Sequence, residues 1–146
     1  MALDIKKIMD NMGTGKGVDS TIASLASILF HSRTQVHIMH LQSKSYSQHM
    51  ALNGYYEGIG DLIDRLVEGG QGKLKTIVTG YTTKSITDNV EPIQFFSALL
   101  TEVEGYRKGL VHPFLEQVCD DIIELISSTS YKLMMLKWYR VRIKHA

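Results

Sequence analysis

Cysteine is almost missing from this chain: Cys119 stands alone among 146 residues. One thiol excludes an internal disulfide framework and suits a reducing compartment. Proline is nearly as scarce, with only Pro92 and Pro113, which leaves room for long uninterrupted helices. No apolar run approaches the roughly 18 residues of a membrane span. The opening MALDIKKIMDNMGTGKG lacks the apolar stretch of a signal peptide, so the expected location is cytoplasmic. An excess of one charge is also lacking. The 16 basic and 15 acidic residues leave a formal net charge of +1, which argues against a nucleic-acid binder.

What the chain does have is apolar content with helical spacing. Apolar residues make up 44% of it, enough for a folded core rather than a disordered chain. A chain this long fits one domain that buries about two-thirds of its unfolded surface. Residues 1–19 read as an N-terminal extension, amphipathic at first and then Gly-rich through Gly13, Gly15 and Gly17. Lys16 is followed by Gly17 rather than Ser or Thr, so the stretch is a linker and not a phosphate loop.

Asp19 or Ser20 can cap a first helix running to about Ser43, with Ile22, Leu25, Leu29, Val36 and Met39 at helical spacing. A second helix is expected from Tyr46 to Glu68, ended by Gly69-Gly70. Its apolar stripe is Leu52, Tyr55, Ile59, Leu62 and Leu66. Residues 71–91 are polar and read as a long crossover. Pro92 opens a third helix to about Lys108, since proline suits a first turn. A fourth runs from Pro113 to about Leu136, with Phe114, Val118, Ile122, Leu125 and Ile126 inside. Residues 137–146 form a basic tail with Trp138, Tyr139, Arg140, Arg142, Lys144 and His145. Two helices, a long link and two more helices predict an all-α, ferritin-like four-helix bundle in one domain, 1–146.

Helix geometry assigns the polar faces at about 100° per residue. Glu57, Asp61, Asp64 and Glu68 follow one another at spacings of 4, 3 and 4, roughly opposite the apolar stripe of the second helix. Carboxylates for a di-iron site inside one bundle would sit on the core face; these point outward. On the first helix His40 falls near the core direction and reads as a satisfied near-core histidine. His37 lies on an apolar flank with Phe30 and Leu41, a surface that an oligomer contact would bury. His31 and His112 carry no pattern. Imidazoles with carboxylates and no thiolate suit iron, zinc or manganese. A two-fold dimer could set His37 and His49 of one subunit against Asp64 and Glu68 of the other. No serine, nor Cys119, has His and carboxylate partners in a pattern suggesting nucleophilic catalysis.

The run His37-Ile38-Met39-His40, then His49, Leu52-Asn53-Gly54-Tyr55, Asp61, Asp64 and Glu68 resembles the Dps-type miniferritins over residues 20–72. It also looks like small ferritin-like proteins encoded by bacteriophages. The resemblance implies a dodecameric shell with ferroxidase activity on ferrous iron, using peroxide as oxidant. The iron ligands would lie across a dimer interface: His37 and His49 from one subunit, Asp64 and Glu68 from its partner. Asn53 stands where that family carries an Asp ligand, and Ile38 where it usually carries Trp. Two functions follow as expectations. One is an iron-binding ferroxidase for storage or peroxide removal, assembled as a homo-oligomer. The other is a structural or assembly protein, such as a phage protein, that keeps the bundle without metal.

Overall fold

The computed structural model describes residues 16–137; the N-terminal stretch and nearly all of the basic tail, with Trp138 and Tyr139, lie outside that range. Four helices make up the fold: α1 (Lys16–Leu41), α2 (Tyr46–Leu74), α3 (Pro92–Arg107) and α4 (Pro113–Met135). It is an all-α four-helix bundle with a long crossover, residues 75–91, between α2 and α3.

Local chemistry explains most of the boundaries. Ser45 caps α2 by accepting from the Gln48 amide, satisfying a first-turn N–H that has no helical partner. Glu91 caps α3 with both carboxylate oxygens, which accept from the Ile93 and Gln94 amides at 3.0 and 2.7 Å. Pro92 and Pro113 each sit in a first turn, where a missing N–H costs nothing. Lys75 ends α2 in the left-handed conformation, with φ 53°.

The helix directions follow from close approaches. At one end of the bundle Gly70 of α2 lies against Ile22, Gly109 lies against Thr21, and Gly69 lies against Phe114. At the other end Asn89, just before α3, bonds Gln42. So α1 and α4 run one way and α2 and α3 the other, with the crossover travelling the full length of the bundle. The helices pack around the ring α1–α2–α4–α3, and the closing contact of α1 with α3 is the sparsest. Ile22, Leu25, Leu29, Leu52, Tyr55, Ile59, Leu66, Phe96, Leu115 and Ile122 fill the centre. Inside this core the Ser32 hydroxyl donates to the Leu29 carbonyl at 2.7 Å. Its single proton is then committed, so the Tyr55 hydroxyl donates to Ser32 Oγ, also at 2.7 Å.

Two expectations are corrected. Gly69-Gly70 does not end α2, which continues to Leu74. A Cβ on Gly70 would come within 2.4 Å of Ile22 Cδ1, and one on Gly69 within 2.9 Å of Phe114 Cε2. These glycines are contact points for α1 and α4, and packing overrides their weak helix propensity. Phe114 is not interior either: it is 40% exposed, and Leu115 takes the core position instead.

The crossover is an extended strap laid along α1 and held by one polar stripe of that helix. Ser27 Oγ accepts from the Thr82 amide, and His31 Nε2 donates to the Ser85 carbonyl. Gln35 bonds both the N–H and the C=O of Thr87, and Gln42 holds Asp88 and Asn89. The two rises match. From Ser27 to Gln42 a helix climbs about 22 Å, and from Thr82 to Asn89 an extended chain covers about 23 Å. Side chains therefore supply the backbone partners that a neighbouring strand would otherwise provide.

Candidate metal centre

The histidines of the sequence pattern gather where α1 turns into α2. His40 and His49 stack with ring centroids 3.6 Å apart and planes 24° from parallel. His40 Nδ1 donates to the His49 carbonyl at 2.8 Å, and His49 Nδ1 donates to the His40 carbonyl at 3.0 Å. A carbonyl only accepts, so each ring carries a proton on Nδ1, which in the neutral form leaves the lone pair on Nε2. That tautomer is the one a metal-binding Nε2 requires. His40 is buried, as the helix geometry expects, and His49 is half-buried.

His37 is exposed and stacks on the half-buried Tyr56, with centroids 4.1 Å apart and planes 13° from parallel. Its ring centroid lies 6.0 Å from that of His40. The Tyr56 hydroxyl donates to Asn53 Oδ1 at 2.8 Å. His37, His40, His49, Asn53 and Tyr56 thus form one connected cluster across the α1–α2 hairpin. The sequence pattern did not single out Tyr56. Its signal was the (i, i+3) spacing from Asn53, which puts the two side chains side by side on a helix.

The carboxylates lie elsewhere. Glu57, Asp61, Asp64 and Glu68 are all exposed, so the outward acidic stripe holds. Asp64 and Glu68 edge a groove of about 490 Å³ whose other walls are mainly apolar: Phe30, Ile63, Val67 and Tyr81. Phe30 and Tyr81 meet edge to face, 6.3 Å between centroids, and are 46% and 45% exposed. Along α2, Asp64 is about 22 Å and Glu68 about 28 Å from His49, at 1.5 Å per residue. One subunit therefore does not bring the histidines and these carboxylates together. Among the described residues no group of three or more His, Cys, Asp or Glu is placed to hold a metal ion. No described helix is long and apolar enough to cross a membrane.

The model of a family of unknown function, DUF5856, matches residues 40–133. That span runs from His40 through α2, the strap, α3 and nearly all of α4. No curated protein matches the chain, and no solved structure does.

Proposed function

The chain belongs to DUF5856, and from its own residues we propose that it binds and oxidises ferrous iron as a homo-oligomer, like the Dps-type miniferritins it resembles. His37 and His49 of one subunit hold the iron with Asp64 and Glu68 of the partner subunit, and Asn53 fills the fifth position. Iron is the substrate. Each ferrous ion gives up one electron, so two ferrous ions reduce one peroxide to water with two protons taken up.

One observation carries this reading: the two halves of the ligand set sit on opposite ends of the same hairpin, beside an uncovered apolar groove. An antiparallel two-fold pairing of α1–α2 hairpins would bring each histidine end to a carboxylate end. It would also cover Phe30 and Tyr81, which are half exposed in the single subunit. The donor chemistry fits, since imidazole and carboxylate without thiolate suit iron. The Nδ1 protons of His40 and His49 also leave Nε2 of His49 as its electron-pair donor.

The test is a ferrous titration of the purified protein, followed by absorbance and sedimentation. Saturable binding with oxidation, in an oligomer of at least a dimer, is the expected result. Glu68→Ala should abolish oxidation and leave the fold intact, because Glu68 is exposed. A variant that oxidises iron as fast as the parent sinks the assigned site.

A second reading has one observation in its favour. Asn53 is neutral and its oxygen already accepts from Tyr56, which suits a bundle kept for assembly without metal. Absence of saturable iron binding in the same titration would leave that reading.

A further inference from the structure

The acidic stripe of α2 has four carboxylates, and the iron reading uses only Asp64 and Glu68. Glu57 and Asp61 are left over, and Arg33 stands beside them. Arg33 is exposed and lies between Phe30 and His37 on one side of α1. Its guanidinium reaches across to α2: a Cβ on Gly60 would stand 3.5 Å from Arg33 Cζ. The ion pairs among the described residues are Arg65–Asp121 and Arg107–Asp120. Arg33 and Glu57 enter neither, and both are exposed. We propose that Arg33 pairs with Glu57 of the partner subunit, twice across a two-fold axis, and that these pairs select a second copy of this chain in antiparallel register. This inference rests on the hairpin pairing proposed above.

Register places the axis. In an antiparallel two-fold pairing of the hairpins, α2 lies along α2 of the partner subunit. Facing residues then stand at equal distances on either side of one point. Setting His49 against Glu68 of the partner subunit puts that point between Gly58 and Ile59. Setting Asn53 against Asp64 of the partner subunit puts it at the same place. The ligand set therefore closes on a single register, and in that register Gly60 faces Glu57 of the partner subunit.

Packing within the subunit holds Arg33 at the same level. Ile22 meets Gly70, Arg33 meets Gly60 and His37 meets Tyr56, a constant register along two antiparallel helices. The guanidinium over Gly60 therefore meets the facing carboxylate, and symmetry returns the same contact from the partner.

Charge gives the contact its weight. Measured along α2, Glu57 and Asp61 both lie within about 4 Å of the axis point, at 1.5 Å per residue. Pairing the hairpins would gather four carboxylates there, with the two Arg33 guanidiniums as the cations between them. Like charges set face to face oppose association, and opposite charges fix register. An ion pair this exposed adds little to one subunit's stability. Covered by a partner, it decides which surface fits.

The experiment is sedimentation of the full-length protein over a range of concentrations, without and with ferrous iron. Arg33→Glu replaces the cation by a further carboxylate and should weaken self-association at least about tenfold. Glu57→Arg should do the same by crowding guanidiniums at the axis. The double variant, Arg33→Glu with Glu57→Arg, restores the pair with its charges exchanged and should recover association. Circular dichroism checks the fold of each variant, and both positions are exposed. Single variants that associate like the parent, or a double variant as weak as the singles, overturn the ion pair. Iron bound and oxidised by the oligomeric parent in that case leaves the iron reading standing. A parent that stays monomeric with and without iron overturns both.

Discussion

The side-chain amide of Gln35 makes both hydrogen bonds to the Thr87 backbone: its nitrogen donates to the carbonyl at 2.8 Å, and its oxygen accepts from the amide at 2.9 Å. Gln35 is only 2% exposed, so its amide has no ready alternative in water, whereas Thr87 lies on the exposed strap. This one residue pins the middle of the strap to α1.

Replacing Gln35 with Leu should therefore loosen the strap as well as destabilise the bundle. It exchanges two protein hydrogen bonds of Thr87 for bonds to water, a loss of about 2 kcal/mol or roughly 4–8 °C in Tm. Hydrogen exchange should show the Thr87 amide protected in the parent and unprotected in the variant. An unchanged exchange rate would mean that Ser27, His31 and Gln42 hold the strap without it.

The glycines of α2 should separate by what stands next to them. Gly70→Ala drives a methyl into the tip of Ile22, a fully buried side chain that must repack to make room. It should cost about 1–3 kcal/mol. Gly72→Ala has nothing within 4 Å and should stabilise the helix by about 0.5–1 kcal/mol. Urea unfolding of the two single variants gives the comparison. Equal effects of the same sign would contradict the close packing of α2 on α1 at Gly70.

Cys119 should be inert in the folded protein. It is fully buried, and burial, assisted by nearby Asp120, pushes its thiol up to about 11. The thiolate is the reactive form, so at neutral pH the folded thiol is protonated and shielded. A thiol-specific disulfide reagent should modify it only as the chain unfolds, with a rate that rises with urea in step with the unfolded fraction. Fast labelling in buffer would mean that the α3–α4 contact opens locally. Arg107 and Asp120 clamp that contact with a two-pronged ion pair at 2.7 and 2.9 Å.

The helices were legible in the sequence because their signals are local. Apolar residues recur every three or four positions, and prolines mark the starts of α3 and α4. A bundle with one crossover follows from helix lengths and one long polar stretch. The outward face of Asp64 and Glu68 was legible too, since helix geometry alone sets which way a side chain leaves the axis. Gly69-Gly70 misled for the same reason: locally a glycine pair reads as a stop. The strap was hidden because its partners, Ser27, His31, Gln35 and Gln42, look like ordinary polar helix residues. Their shared stripe has meaning only once a second segment lies against it.

The sequence by itself determined the number and order of the four helices, the approximate ends of all but α2, and most of the apolar face of each. Tertiary structure alone decided that α2 runs through its glycines, because neighbouring helices approach closely there. It also decided that His40 stacks with His49 and that His37 stacks with Tyr56. Periodicity fixes a direction around a helix axis. Which ring meets which depends on how two helices are set against each other, and that is fixed by the packing of residues far apart in the chain.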